Sequence, residues 1–161
     1  MRRLYRNGGV AATRFELVGE TAVFDWFAQR NRLDEEIQIC THLLARIEIL
    51  CAWFGSESEV PRLGVGIFCA DAGFSLDGEL AAQLALGGAY LPFGGSDAEA
   101  QVIARQLADA LTEGRASEVT VFRTEEAWHP WFKKTSAFDR TWVVIDRRRR
   151  VVTMFAATDE S

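Results

Sequence analysis

Two histidines, His42 and His129, are the residues best suited to acid–base chemistry in this sequence. His129 lies in the segment Trp-His-Pro-Trp-Phe, and Asp139 or Asp146 could orient it as a general base. The alternative for both histidines is a structural or surface role. The spacing of the histidines matches no metal motif of the H-x-x-x-H kind. We therefore expect no catalytic residue and no bound metal, and we predict that the protein is not an enzyme.

Two glycine-containing segments match nucleotide-binding loops only in part. Residues 64–66, Gly-Val-Gly, would need a further glycine at the position of Cys69 to complete the dinucleotide fingerprint. Residues 94–96 precede a predicted helix, whose first N–H groups could hold a phosphate, but no Walker lysine follows. Ser96 and Glu99 instead form the S-x-x-E pattern of a capping box. The sequence thus predicts no cofactor.

The charges are unevenly distributed along the 161 residues, whose formal net charge is -5. Residues 34–126 carry five arginines against sixteen acidic residues, whereas residues 1–33 and 127–161 are both basic. Nucleic-acid-binding domains are usually basic, so we expect no nucleic-acid partner. The acidic centre could attract a basic partner. Alternatively, the basic ends fold back over the centre and the charges intermix.

A second candidate surface combines aromatic rings and arginines near the C-terminal end. Trp128 and Trp131 lie in one short segment, and Arg147–Arg150 form a run of four arginines. Tryptophan and arginine are enriched at the energetic centres of protein interfaces. Alternatively, the two tryptophans close one side of the core and the arginines form a solvated hairpin tip.

The cysteines and the lack of long apolar runs bear on the compartment. Cys40, Cys51 and Cys69 are odd in number and form no C-x-x-C pair, so neither a disulfide framework nor a zinc ribbon is expected. We interpret them as small buried thiols in a reducing compartment. No secretory leader is visible at residues 1–9, and no apolar run reaches the roughly 20 residues that span a bilayer. We therefore predict a cytoplasmic protein with no membrane partner.

The order of the elements predicts an α+β fold and a single domain over residues 1–161. A strand, two helices, a strand and two helices precede three consecutive strands, which is typical of an antiparallel meander packed against helices. The predicted strands are 10–18, 63–70, 118–123, 141–145 and 151–157; the predicted helices are 21–29, 34–54, 77–86 and 97–113.

Two of these elements carry specific packing predictions. The strand 63–70 has apolar residues on both faces, which is typical of a central strand. The helix 97–113 is expected to face the core through its larger apolar residues and their neighbours, namely Ala100, Ile103, Leu107, Ala110 and Leu111.

The C-terminal hairpin has a recognisable sequence. Residues 138–146 read Phe-Asp-Arg-Thr-Trp-Val-Val-Ile-Asp, a hydrophobic strand follows at 151–157, and residues 158–161 read Thr-Asp-Glu-Ser. This sequence resembles the C-terminal hairpin pattern of bacterial polymorphic-toxin immunity proteins. Phe138 stands where the pattern has Trp, and the last two residues differ from its Thr-Asp. The resemblance implies a small, acidic, cytoplasmic protein that binds a toxin from a type VI or contact-dependent secretion system and blocks its active site. It implies no catalytic residues.

The sequence therefore predicts an immunity protein that binds and neutralises a cognate toxin domain. An enzyme centred on His129 and a secretion chaperone or adaptor are the alternatives, and the oligomeric state stays open. The predicted partner-binding residues come from the acidic centre and from the aromatic-basic end: Glu57, Glu59, Asp71, Trp128, Trp131, Arg147, Arg148, Arg149 and Arg150.

Overall fold

The computed structural model describes residues 8–16, 47–54, 67–132, 138–146 and 148–159. Within these ranges, five strands form an antiparallel sheet of order β1-β5-β4-β3-β2, and the predicted α+β fold with its C-terminal meander is confirmed. The strands are β1 Gly9–Glu16, β2 Cys69–Ala72, β3 Val119–Thr124, β4 Arg140–Asp146 and β5 Val151–Thr158. The α-helices in this part of the chain are α1 Ile47–Phe54, α2 Leu76–Leu86 and α3 Asp97–Thr112. None of the described helices has the length and apolar character needed to cross a membrane.

Both faces of the sheet are covered, because successive side chains of a strand point to opposite sides. One face packs with α1 and with the segment after β3; its buried residues are Leu50, Phe68, Phe122, Trp128, Phe132, Val143, Ile145, Val152, Met154 and Ala156. The other face packs under α2 and α3; its buried residues are Leu76, Leu80, Leu84, Ala100, Ala104, Ala108, Leu111, Val119, Val121, Trp142, Val144 and Phe155. The sheet is therefore the middle layer of the described structure.

The predicted C-terminal hairpin is confirmed. β4 and β5 pair antiparallel, with Ile145 opposite Val152 and Asp146 opposite Val151. In the connecting turn, the Asp146 carboxylate accepts a hydrogen bond from the backbone N–H of Arg149 at 3.0 Å. Arg150 adopts a left-handed conformation with φ of 56°. The short polar side chain of Asp146 thus stabilises the turn between the two strands.

The strand predicted at 63–70 differs from the described strand in its residue range and in its place in the sheet. The described strand is Cys69–Ala72, and it lies at the end of the strand order, so the prediction of a central strand is wrong. Phe68, which precedes β2, is buried, whereas Cys69 is exposed, against the expectation of a buried thiol. A short strand with small and charged side chains is typical of a sheet edge. Residues 63–66 lie outside the described residues.

The capping box at the start of α3 is confirmed. The Glu99 backbone N–H donates to Ser96 Oγ at 3.3 Å, and the Ser96 backbone N–H donates to the Glu99 carboxylate at 2.7 Å. The helix ends at Thr112, where Glu113 and Gly114 take left-handed conformations with φ of 53° and 70°. Both ends of α3 are therefore set by local sequence.

The inner face of α3 differs from its prediction. Ala100, Ala104, Ala108 and Leu111 are buried, whereas Ile103 is 41% exposed and Ala110 is exposed. Alanines at four-residue spacing let a helix approach its neighbours closely. Val102 and Ile103 consequently lie on the outer surface, whereas Leu107 and Leu111 still contact the core.

The long helix predicted at 34–54 is described only in its last two turns, as α1 Ile47–Phe54. Leu50 is buried in the core and Phe54 packs against it, in agreement with the predicted apolar stripe. The predicted start of this helix, Gly55 at its end, the helix at 21–29, His42 and Cys40 lie outside the described residues.

Candidate partner-binding surface

The aromatic part of the predicted aromatic-basic surface is largely internal. Trp128 is only 8% exposed, and its indole N–H donates to Thr141 Oγ1 at 2.9 Å. The ring of Trp131 is partly buried and lies 4.9 Å from the ring of Phe54 and 5.2 Å from that of Phe132. These rings close the core beside α1, which is the structural alternative that the sequence left open.

His129 belongs to the same aromatic layer. It is buried, its Nδ1 accepts the backbone N–H of Trp131 at 3.1 Å, and its ring stacks on Phe54 at 4.3 Å. Asp139 accepts the hydroxyl of Thr158 at 2.5 Å. Asp146, the other carboxylate predicted to orient His129, caps the hairpin turn. The described contacts of His129, Asp139 and Asp146 thus join parts of the fold.

Two arginines of the hairpin tip, Arg148 and Arg149, bind acidic residues of this chain. Arg148 lies 3.1 Å from Glu118, just before β3, and Arg149 pairs with Glu113 at the end of α3, which also binds Arg14 on β1. These ion pairs hold the β4–β5 turn to the segment between α3 and β3, so both guanidinium groups already have carboxylate partners. Arg147, together with Glu57 and Glu59, lies outside the described residues.

Asp71 is brought together with two residues that the sequence prediction did not select. Arg123 Nε lies 3.2 Å from Asp71 Oδ2 and 2.8 Å from Glu79 Oε1. Glu79 also accepts the indole N–H of Trp142 at 3.1 Å. This group of charges fixes the start of α2 to the edge of the sheet beside β2.

The two carboxyl groups of this cluster respond oppositely to their surroundings. Burial raises the pKa of Glu79, and a hydrogen bond with Asp71 acts in the same direction, against the influence of Trp142 and Arg123. Burial also opposes the ionisation of Asp71, but hydrogen bonds with Glu79, Ser75 and Arg123 outweigh it and lower the pKa of Asp71. Asp71 is consequently the more acidic member of the pair.

The outer face of α2 and α3 exposes large apolar side chains. Phe74 is 71% exposed, Val102 is 58% exposed and Ile103 is 41% exposed, and each of them lines a concavity. Leu86, Tyr90 and Leu91 are exposed at the end of α2 and in the loop that follows it. Isolated exposed apolar residues are ordinary on a protein surface, but a group of them next to a concavity is typical of an interaction site. We refer to this outer face, from Phe74 to Thr112, as the α2–α3 face.

A groove of about 710 Å³ runs between the two helices on this face. Small residues dominate its lining, which consists of Asp77, Gly78, Ala81, Ala82, Ala85, Asp97, Ala98, Ala100, Gln101, Val102 and Arg105. Arg105 of α3 lies 3.9 Å from Asp77 at the start of α2, so the helices run antiparallel. A second concavity of about 560 Å³ shares Ala98 and Val102 with the groove and extends to Phe93.

The segment that carries the α2–α3 face is acidic, although Glu79 binds Arg123 and Trp142 at the sheet edge and Asp77 pairs with Arg105. Residues 76–112 contain one basic residue, Arg105, and five acidic ones: Asp77, Glu79, Asp97, Glu99 and Asp109. Asp97 and Asp109 are exposed, and neither forms an ion pair with any residue that the structure describes. Among the described residues, Asp97 and Asp109 therefore present their charge to solvent, whereas the basic tip pairs with Glu113 and Glu118 of the acidic centre.

The α2–α3 face was not predicted from the sequence, because Ile103 and Ala110 were expected to lie in the core. The four-residue spacing of Ala100, Ala104 and Ala108 is the signal that would have identified the inner side correctly. Once those alanines are turned inward, Val102 and Ile103 must point outward.

Among the described residues, no group of three or more His, Cys, Asp or Glu side chains is placed to hold a metal ion.

Comparison with protein-family models, with curated proteins and with solved structures gave no match. The geometry of the described surfaces is thus what bears on function.

Proposed function

We propose that this protein is an immunity protein that binds a cognate toxin domain through the α2–α3 face and neutralises it by covering its active site. One observation carries the proposal, namely that exposed apolar side chains and unpaired carboxylates share one grooved surface. Apolar anchors provide affinity in protein interfaces, and charged groups around them provide orientation and a fast approach. Such a surface fits a basic partner.

The α2–α3 face is favoured over the aromatic-basic end on physical grounds. Moving Trp128 to the surface would expose a core ring and break its hydrogen bond to Thr141. Arg148 and Arg149 would have to exchange their carboxylate partners for those of a toxin. Binding through Asp97 and Asp109 needs neither the exposure of a core ring nor the exchange of an ion pair, because both side chains are already exposed.

Neutralisation by this surface requires no chemistry. A toxin cleft lined by lysine or arginine is drawn toward the carboxylates of the α2–α3 face, and the exposed apolar residues then exclude water from the contact. The bound protein keeps the toxin's substrate out of the cleft for as long as the complex lasts. The lifetime of the complex therefore determines how long the toxin stays inhibited, and differences in affinity between related complexes are mostly differences in this lifetime.

Co-expression with the toxin encoded by a neighbouring gene tests the proposal. We expect the wild-type protein to restore growth and to bind the purified toxin stoichiometrically. Asp109→Lys reverses one exposed charge on the α2–α3 face and should weaken binding by about tenfold or more. Glu126→Lys makes the same charge change in the loop after β3 and should leave binding unchanged.

Two results would overturn this proposal. One is failure of the wild-type protein to bind the neighbouring gene product at micromolar concentration. The other is binding without neutralisation, which would indicate a chaperone or adaptor. Thermal unfolding of both lysine variants shows whether they fold like the wild type, so a loss of binding is not mistaken for a loss of structure.

A further inference from the structure

We infer that the α2–α3 groove receives an amphipathic helix of the partner, one that carries basic residues along the edges of its apolar face. The inference rests on the proposed function for the nature of the partner and adds which structural element docks. It stands on the shape of the groove, on the apolar residues at its ends and on its charge.

The shape of the groove fits a helix. The exposed lining residues of α2 are Gly78, Ala82 and Ala85, and those of α3 include Ala98, Val102 and Arg105. These positions recur every three or four residues, so each helix contributes one continuous row of exposed side chains; all three are small on α2, whereas on α3 they increase in size from Ala98 to Arg105. A third helix can approach closely where these side chains are small, because the interaxial distance depends on the side chains at the contact.

The apolar residues stand at the two ends of the groove. Phe74 lines a concavity that continues past Arg105 toward Asp109, and Phe93 lines the one at the other end. From Ala98 to Thr112 the track follows four turns of α3, or about 21 Å at 1.5 Å per residue. A docked helix of comparable length would place large apolar residues against both phenylalanines, which is the anchoring pattern of helix-in-groove recognition.

The charge of the α2–α3 face selects a basic helix and disfavours a second copy of this chain. Symmetric pairing of two copies would bring the same face of each together. That arrangement would place Asp97 and Asp109 of one copy near the acidic residues of the other, and like charges in an interface are costly. Lysine or arginine flanking an apolar stripe would instead meet these carboxylates.

A synthetic peptide of about 18 residues, long enough to span the groove as a helix, provides the test. Leucines occupy one face and lysines flank it, and a second peptide of equal composition has its order scrambled so that no apolar face forms. Fluorescence anisotropy measures binding of each labelled peptide to the full-length protein. We expect the amphipathic peptide to bind at least about tenfold more tightly than the scrambled one.

A matched pair of variants locates the binding. Ala82→Arg places a long cationic side chain in the groove and should weaken binding of the amphipathic peptide by at least about tenfold. Ala110→Arg adds the same charge at an exposed alanine of α3 that does not line the groove. This variant should bind the amphipathic peptide as tightly as the wild type does. Equal affinity for both peptides, or equal behaviour of the two variants, would overturn the inference.

Sedimentation of the protein alone completes the test. A wild-type dimer that Ala82→Arg dissociates would show that a second copy fills the groove, which also overturns the inference.

Failure of the docked helix can be told apart from failure of the proposed function. If Ala82→Arg still neutralises the toxin while Asp109→Lys does not, the α2–α3 face binds the toxin without a docked helix. If the peptide binds in the groove but no neighbouring toxin is neutralised, the docked helix stands and the immunity function does not.

Discussion

At Glu79, burial and hydrogen bonding act in opposite directions on a single carboxyl group. Because its pKa is raised in the folded state, Glu79 supports folding fully below its unfolded pKa of about 4.3, and that support is lost as pH rises through the folded-state value. Glu79→Gln keeps an acceptor for the indole of Trp142 and removes the titration. We therefore expect the stability of Glu79→Gln relative to wild type to rise with pH between about 4 and 7, by less than about 1 kcal/mol.

Urea denaturation at several pH values measures this difference, and Asp71→Asn provides the comparison. The pKa of Asp71 is lowered, so its contribution to stability is present above its unfolded pKa of about 3.9 and is lost as pH falls through the folded value. Asp71→Asn should consequently lose stability relative to wild type as pH rises. The same pH trend in both variants would contradict the described geometry.

Local pairs of residues were predictable from the sequence, and distant pairs were not. Ser96 and Glu99 are three residues apart, so their capping box follows from spacing alone. Asp71 and Arg123 are 52 residues apart and meet only because β2 pairs with β3. A prediction of single residues could select Asp71 by its charge, but it could not supply Arg123 or Glu79 as its neighbours.

At the scale of the element, the orientation of α3 is the feature that decides what the surface presents. Ala104 of α3 is fully buried in the core that α3 shares with α2 and the sheet. Ala104→Leu should overpack this contact and lower the free energy of unfolding by about 1–3 kcal/mol. Chemical denaturation measures the loss, and Ala110→Leu, the same change on the exposed side, should stay within about 0.5 kcal/mol of wild type. Equal losses at both positions would mean that α3 is oriented differently.

The elements themselves differ in how far sequence determines them. The β4–β5 hairpin follows from two apolar strands and a short polar turn, all within the 19 residues Arg140–Thr158. The inner side of α3 is less evident, because its apolar residues cover more than one side and the four-residue spacing of its alanines is a weaker local signal than a stripe of large apolar residues. The place of β2 at the sheet edge likewise depends on strand order, which local patterns do not encode.

At the scale of the whole molecule, the separation of charge governs how a partner arrives. The net charge of -5 understates the field near the α2–α3 face, where acidic residues outnumber the single arginine. We expect the association rate with a basic toxin to fall by about tenfold or more between roughly 0.01 and 1 M salt, because screening shortens from about 30 to 3 Å. Stopped-flow fluorescence measures the rate.

Asp109→Lys should show a shallower salt dependence than the wild type, whereas Glu126→Lys should follow the wild type closely. An association rate that is independent of salt would argue against steering by this face and would place the contact elsewhere on the molecule.

The residues that line the α2–α3 groove are largely separate from those that hold the two helices to the sheet. Gly78, Ala82, Ala85, Ala98 and Val102 face outward, whereas Leu80, Leu84 and Ala104 face the core. Exposed positions of this kind tolerate substitution with little change in stability. The exposed residues that line the groove can therefore change in sequence while the residues that pack against the sheet stay constant, so that one fold can present different binding surfaces at small cost to its own stability.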